Sequence, residues 1–131
     1  MAEIVLVCVT GQQSSRRLIH RGAEIARECG ASLLVLAVSG SGYNLLENPS
    51  VSQALNDLYA LSGEVGAEMT MLSDQDPHRA ICQFARARGV TRLVLGEGRP
   101  GDSRFVTQLM RSLPQVAFTV EPTLELALSD G

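Results

Sequence analysis

Short runs of apolar residues alternate along the chain with longer stretches in which apolar positions recur every three or four residues. The short runs predict β-strands, and a run that is apolar throughout, such as Ile4 to Val9, is typical of a parallel strand buried on both faces. The longer stretches predict amphipathic helices. The predicted strands are Glu3 to Thr10, Leu33 to Val38, Glu68 to Leu72, Arg92 to Leu95 and Val116 to Val120. This alternation predicts an α/β fold, a doubly wound five-stranded parallel sheet with helices on both faces.

Glycine and proline mark the ends of the predicted helices. A helix, then a glycine, then a strand recurs at Gly30, Gly66 and Gly89. A glycine in this place commonly takes the left-handed conformation that ends a helix. Helix starts are predicted at Asn48-Pro49 and Asp76-Pro77, and Ser14 or Ser15 is the predicted cap of the first helix. The connections from helix to strand are therefore expected to be short.

The same pattern predicts which side chains form the core. Three residues on central strands are expected to be almost completely buried, and they are Val7, Leu36 and Val94. The third strand alternates between apolar and polar residues, which indicates an edge strand with one wetter face. For the last helix, from about residue 103 to 113, the expected apolar side carries Phe105, Leu109 and Met110.

Composition and net charge exclude several classes of protein. The 131 residues are 45% hydrophobic and 19% charged, which predicts one globular domain over residues 1–131. The net charge of -3, without any block of basic residues, argues against general nucleic-acid binding or attachment to a membrane surface. No apolar run approaches the roughly 18 residues of a membrane span. Lysine is absent, which excludes a Walker-type or Schiff-base lysine.

Cysteine usage and the first residues suggest a cellular compartment. Cys8, Cys29 and Cys82 lie far apart in apolar surroundings and form no CxxC motif. We interpret them as reduced, buried thiols of a cytoplasmic protein. The start of the chain reads as a strand and lacks the basic region of a signal peptide.

The stretch from Leu93 to Arg104 is the most informative for function. A buried strand ends in a glycine-rich turn, and a helix starts directly after it. Backbone N–H groups at such a helix start are free to bind an anion, and two arginines add positive charge. The stretch is therefore either a site for phosphate or nucleotide or a surface loop without a ligand, with equal weight on each. Its candidate binding residues are Gly96, Gly98, Arg99, Gly101, Ser103 and Arg104.

Two further strand ends are expected beside this turn. In doubly wound sheets, ligands bind beyond the carboxyl ends of the strands, where the strand order reverses. The residues at these ends are small or include glycine, which leaves room for a ligand. The candidate site is therefore completed by Thr10, Gly11, Ser14 and Ser39.

Several stretches, in this order, resemble the universal stress protein family. They are residues 6–10, 14–19, 66–68, 80–86 and 90–96. The likeness is strongest to the version in the cytoplasmic region of Kdp-type potassium-sensing histidine kinases. The resemblance implies a Rossmann-like sheet of strand order 3-2-1-4-5. It also implies a homodimer formed through the last strand, Val116 to Val120, and kinase or other signalling domains as partners.

The resemblance makes ATP, AMP and cyclic di-AMP the candidate ligands. Gly98 and Gly101 match the first two glycines of the nucleotide motif, but Arg111 stands where a third glycine precedes Ser112. Thr10 stands where nucleotide-binding members have aspartate. Thr10 and Ser14 match the serine-rich first loop of the members that bind cyclic di-AMP, but the second strand lacks their aromatic residue.

No group of residues in the sequence has the pattern of a catalytic site, so we expect no enzyme and no metal site. His20 and His78 are interpreted as surface residues, and Glu97 within the glycine turn would either accept from a ribose hydroxyl or repel phosphate. The favoured function is a non-catalytic signalling or stress-response domain that binds an adenine nucleotide or related anion. The alternative is a dimerising docking module with a vestigial pocket, and hydrolysis of ATP ranks third.

Overall fold

The computed structural model describes residues 3–9, 15–39, 49–96 and 104–122. Strands and helices alternate throughout, as the sequence pattern predicts. The strands are β1 (Ile4–Val9), β2 (Ser32–Ser39), β3 (Glu68–Ser73), β4 (Arg92–Gly96) and β5 (Ala117–Glu121). The helices are α1 (Arg16–Cys29), α2 (Pro49–Glu64), α3 (Pro77–Arg88) and α4 (Arg104–Ser112).

The strands form one parallel sheet in the order β3-β2-β1-β4-β5. The strand order implied by the family resemblance is therefore confirmed. β1 pairs with both β2 and β4, which explains why its residues are apolar on both faces. β3 and β5 are the two edges, and β3 is the wettest strand, as its alternating sequence predicts.

Two hydrophobic layers cover the sheet. One lies between the sheet and the pair α1 and α2, and the other between the sheet and the pair α3 and α4. The predicted core residues Val7, Leu36 and Val94 are at most 1% exposed. Helices on both faces are the arrangement expected for crossover connections between parallel strands.

Helix α1 lies very close to β1. Gly22 is buried in the middle of α1, and a Cβ atom at this position would overlap the Cγ2 atom of Val7. Only glycine therefore fits here without displacing a buried side chain. The close contact fixes the position of α1 against the centre of the sheet.

The amino ends of the strands are joined by a row of backbone hydrogen bonds. The N–H of Ser32 donates to the carbonyl of Glu3 (3.1 Å), and the N–H of Thr91 donates to that of Ile4 (2.9 Å). The N–H of Ala117 donates in turn to the carbonyl of Thr91 (3.0 Å). The Thr91 hydroxyl adds a bond by accepting from the N–H of Ile4 (3.1 Å). The starts of β2, β1, β4 and β5 thus form one continuous network, which we call the amino edge.

The turns that lead into this edge agree with the sequence prediction. The residues Gly30, Gly66 and Gly89 all have positive φ angles, between 66° and 77°. Asp76 caps α3 as predicted, because its carboxylate accepts from the N–H of Arg79 (3.1 Å). Ser15 does not act as the side-chain cap that the sequence predicts as one of two choices. It directly precedes α1 in a helical conformation and its side chain makes no capping bond.

Two predictions about packing need correction. Phe105 and Met110 do not belong to the buried side of α4, because they are 39% and 42% exposed. The buried side instead carries Val106 and Leu109, with Leu113 just beyond the helix. Of the cysteines, Cys82 is buried and Cys29 is partly exposed, while Cys8 keeps some exposed surface although its side chain packs against the core layer under α3 and α4. All three are free thiols, as predicted.

Among the helices of the described residues, none combines the length and apolar character needed to cross a membrane.

Candidate functional site

Most of the predicted ligand-binding residues lie outside the described part of the chain. These are Thr10, Gly11, Ser14, Gly98, Arg99, Gly101 and Ser103. Ser39 ends β2 and pairs with Ser73 of β3, Gly96 ends β4, and Arg104 begins α4. The residues that are described thus lie where the prediction puts them in the chain, at strand ends and a helix start. The binding role of all ten stays a prediction.

The carboxyl end of β4 lies next to β5 and packs against α1. Gly96 is in register with Glu121 of β5, so the positions of these two residues are adjacent in the sheet. A Cβ atom on Gly96 would lie 3.8 Å from Cδ1 of Leu18, which is an ordinary contact distance. Gly96 itself adds no side chain here, and Leu18 of α1 is its neighbour.

Two arginines of α1 contact the end of β5. Arg17 donates from Nη2 to the carbonyl oxygen of Pro122 (2.7 Å), and its Nη1 lies 3.9 Å from Oε1 of Glu121. Nε of Arg21 lies 3.9 Å from the other carboxylate oxygen of Glu121. We call these residues, Arg17, Arg21, Glu121 and Pro122, the Arg17–Glu121 cluster. It holds two guanidinium groups and one carboxylate at the carboxyl end of the sheet.

Arg17 has an unusual environment within this cluster. Its side chain is 36% exposed, yet Nε is shielded from solvent and has no hydrogen-bond acceptor among the residues that the structure describes. A buried donor without a partner costs roughly 1 to 3 kcal/mol. The sequence pattern gives Arg17 no special role and does not identify the cluster. The only sequence signal was the spacing of two arginines one helical turn apart, which does not point to a residue about one hundred positions later.

Helix α4, which begins at the predicted anion turn, is held by α3. The Nε2 atom of His78 lies 3.0 Å from the Ser112 hydroxyl oxygen and 3.3 Å from the Gln108 carbonyl oxygen. Arg86 donates to the carbonyl oxygen of Ser112 (2.9 Å). His20 is exposed as predicted, but His78 is partly buried and connects two helices, so its interpretation as a simple surface residue is wrong.

The carboxyl end of β3 carries a second polar group. Asp74 accepts from the N–H of Asp76 (2.9 Å) and from the guanidinium of Arg79 (3.0 Å). The hydrogen bond from Asp76, followed by the contribution of Arg79, lowers the pKa of the Asp74 carboxyl. These hydrogen bonds hold the start of α3 in place. The carboxylates of Asp74 and Asp76 are thus already hydrogen-bonded to neighbouring residues.

Cys8 is poorly suited to chemistry even though it lies near the carboxyl end of β1. Its side chain packs against the layer between the sheet and the pair α3 and α4. Burial raises the pKa of the thiol to about 12, with a smaller contribution from Cys82. The thiol is therefore protonated near neutral pH and is a weak nucleophile. Within the described residues, no three His, Cys, Asp or Glu side chains are grouped so as to hold a metal ion.

An open cavity of about 710 Å³ lies at the opposite end of the sheet, between the starts of β1, β2 and β3. Its floor is apolar and its rim carries Arg27, Glu68 and Arg88. Glu68 and Arg88 pair with each other at 3.3 Å. The cavity faces the carboxyl-terminal ends of α1 and α2, where the helix dipole disfavours an anion. We therefore place the candidate anion site at the carboxyl end of the sheet and not in this cavity at the amino edge.

Curated relatives of this chain are sensor proteins. The chain is 32% identical over 98 residues to sensor protein KdpD of Mycobacterium tuberculosis, an alignment that covers 74% of this chain and 11% of the relative. It is 28% identical over 120 residues to the putative sensor protein KdpD of a Synechocystis species, covering 87% of this chain and 32% of the relative. The chain thus spans between about a tenth and a third of the length of these relatives.

Solved structures show the same fold. A universal stress protein in complex with cAMP superposes with a TM-score of 0.68 at 16% identity, covering 91% of this chain and 95% of that one. A universal stress protein family member from Arabidopsis thaliana with AMP bound gives a TM-score of 0.63 at 19% identity, covering 92% and 91%. At this level of identity, the likeness establishes the fold alone. The family model for the universal stress protein family matches residues 1–112. Its coverage and the shared strand order show that this chain belongs to the universal stress protein family.

Proposed function

We propose that this chain is a non-catalytic signalling domain that binds an adenine nucleotide at the carboxyl end of its sheet. The observation that carries the proposal is the structure of that end. It combines the side-chain-free end of β4 at Gly96, the start of α4 at Arg104 and the two guanidinium groups of the Arg17–Glu121 cluster. Positive charge next to a helix start suits a phosphate group.

The family relationship supports an adenine nucleotide over other anions. Two proteins of the same fold were solved with cAMP and with AMP. Among the candidates AMP, cAMP, ATP and cyclic di-AMP, we favour a nucleotide with one phosphate. The third glycine of the ATP-type motif is replaced by Arg111, which lies on α4 at an exposed position.

Calorimetric titration of the four nucleotides into the wild-type protein tests this function. We expect AMP or cAMP to bind, and Arg104→Ala to weaken binding about ten-fold or more, because a charge-assisted contact to phosphate contributes roughly 1.5 to 3 kcal/mol. Arg111→Ala is the matched control, since it removes an arginine near the other end of the same helix. Affinity should also fall as salt rises.

The absence of heat with every nucleotide at millimolar concentration would reject the ligand-binding function. Binding that Arg104→Ala leaves unchanged would instead move the site away from the start of α4. Hydrolysis of the bound nucleotide during the titration would contradict a non-catalytic role.

The alternative function is a docking module that dimerises through β5. It is favoured by the position of β5, because an edge strand presents unpaired backbone groups to another chain. Hydrogen exchange at low and high protein concentration tests this. We expect β5 amides to gain protection in a dimer while those of β3, the other edge, do not. A monomer mass by light scattering at high concentration would reject it.

The relatives suggest the setting in which this function operates. Because the chain matches only a part of KdpD sensor proteins, we propose that its partners are kinase or other signalling domains. The free thiols are consistent with the reducing conditions of the cytoplasm. Light scattering of mixtures with a sensor-kinase catalytic region, with and without nucleotide, would test the partnership.

A further inference from the structure

We propose that β3 is a self-association surface, on which a second copy of this chain adds its own β3 in the antiparallel direction. The two five-stranded sheets would then continue as one sheet across a two-fold axis. This inference does not rest on nucleotide binding. It concerns the sheet edge opposite β5, and it therefore competes with the alternative function in which the chain dimerises through β5.

Exposed apolar side chains mark this edge of the sheet. Among the described residues, the two most exposed large apolar side chains are Tyr59 of α2, at 62%, and Met71 of β3, at 54%. On β5, by contrast, Phe118 and Val120 are partly buried against the core. An edge strand presents unpaired backbone groups, and charged residues commonly protect such an edge from other chains. The stretch from Met69 to Ser73 carries no charge.

Tyr59 and Met71 lie on the same side of the sheet. Met69 packs against the core layer under α1 and α2, and Met71, two residues later, points to the same face. The Ser62 hydroxyl oxygen lies 3.8 Å from Sδ of Met69, which fixes the level of α2 against β3. Since α2 runs opposite to β3, the step from Met69 to Met71 corresponds to about four residues back along the helix from Ser62. Tyr59, three residues before Ser62, therefore lies near Met71, and the two exposed side chains form one patch.

The side of α2 that carries Tyr59 is uncharged. Asn56, Tyr59 and Gly63 follow each other at helical spacing, and all three are exposed. The two acids of α2, Asp57 and Glu64, lie on the opposite flank of the helix. A Cβ atom on Gly63 would meet no atom of another described element within 4 Å. This side of α2 can therefore approach another helix closely.

The sequence of β3 is complementary to itself in one antiparallel register. With Thr70 opposite Thr70 of the second copy, Met71 lies opposite Met69 of the second copy, and the two-fold axis repeats this contact. The uncharged sides of the two α2 helices then face each other. Moving the axis to Met71 would place Glu68 opposite Asp74 of the second copy, and like charges directly opposite each other are unfavourable. Moving it to Met69 would leave half of β3 unpaired.

Opposite charges at Thr70 test both the surface and its register. Sedimentation of the wild-type protein should give an average mass that rises from monomer towards dimer as the concentration increases. Thr70→Lys and Thr70→Glu should each weaken association about ten-fold or more, because like charges meet at the two-fold axis. An equal mixture of the two variants should restore association, because each lysine then faces a glutamate. The matched control is Thr119→Lys at the centre of β5, which should leave association unchanged.

Hydrogen exchange at low and high protein concentration gives a second readout, in which the amides of β3 should gain protection. Met71→Glu changes a side chain that is already exposed, so it should weaken association while the fold is kept. A wild-type protein that stays monomeric at millimolar concentration would overturn the proposal. Loss of association in Thr119→Lys but not in Thr70→Lys would also overturn it and would assign association to β5. If the two Thr70 variants are folded and their mixture stays monomeric, the proposed pairing is wrong.

Discussion

The two ends of the sheet are built in different ways. At the amino edge, backbone groups bond directly to each other. The single residue Thr91 bonds to both neighbours there and so connects β1, β4 and β5. At the carboxyl end, the Arg17–Glu121 cluster joins α1 to β5 through side chains, with one hydrogen bond of 2.7 Å to the Pro122 carbonyl and ion pairs of 3.9 Å. One end is closed by short, saturated bonds, while the other keeps donors that are only partly used.

This difference separates the part of the molecule that holds the fold from the part that is available for binding. The backbone hydrogen bonds at the amino edge depend little on which side chains are present. The positions of these bonds follow from the register of the strands. Side chains at the carboxyl end can be changed without breaking the sheet. Loops at the carboxyl ends of parallel strands are where doubly wound folds bind their ligands.

The largest effect should come from the centre of the sheet, to which both ends are attached. Leu36 on β2 is 1% exposed, and we expect Leu36→Ala to lower the free energy of unfolding by about 2 to 4 kcal/mol through lost burial and a cavity. Met71→Ala is the control on the neighbouring strand, at a position 54% exposed, and should cost under about 0.5 kcal/mol. Urea unfolding measures both. A cost under about half a kcal/mol for Leu36→Ala would contradict its central position.

The next effect should be a loss of folding stability at high pH. It should come from Cys8 on β1, the strand that joins the two ends. The pKa of Cys8 is raised from 9.0 to about 12 in the folded protein, so the unfolded chain loses this proton first as the pH rises. Stability from the neutral thiol is complete below pH 9 and is lost between pH 9 and 12. Wild type should therefore lose up to about 1.4 kcal/mol per pH unit more than Cys8→Ala in this window. Parallel stability curves for the two proteins would show that the thiol is solvated.

The smallest effect should come from a single side chain at the amino edge. Thr91→Val removes the hydroxyl that bonds to the backbone of Ile4, and we expect a loss of about 1 kcal/mol without any change in nucleotide affinity. Thr119→Val makes the same change on β5, where the hydroxyl has no hydrogen bond in the described part of the chain. It should be nearly neutral in urea unfolding. A clear change in AMP affinity for Thr91→Val would mean that the two ends are not independent.

Much of the fold was predictable because local signals and global structure agree. The apolar runs identified every strand, and the glycines after the helices identified the turns at the amino edge. The failure at α4 has a physical cause. Phe105 and Met110 flank opposite sides of a nine-residue helix, and contacts with α3 through His78 and Arg86 set which side of it is buried. Apolar character alone does not determine that rotation.

The site was less predictable for a different reason. Glycines and arginines near Gly96 indicate an anion site, since the signal is local. The pairing of Arg17 with Glu121 joins residues about one hundred positions apart, and it depends on the register of β5 against β4. Nothing in the sequence distinguishes Arg17 from the other charged residues of α1. Only the folded arrangement shows that one of its nitrogens is shielded and lacks an acceptor.

The central position of the first strand also constrains how the chain reaches its native state. β1 can pair with β2 after a short stretch of sequence, but its other neighbour, β4, begins with Arg92. Closing so long a segment costs conformational entropy before any contact compensates for it, and sheets rich in such distant pairs fold slowly. During synthesis, the half formed by β1, β2 and β3 therefore emerges with one side of its central strand unpaired. Until Thr91 has left the ribosome, that strand remains open to pairing with another nascent chain.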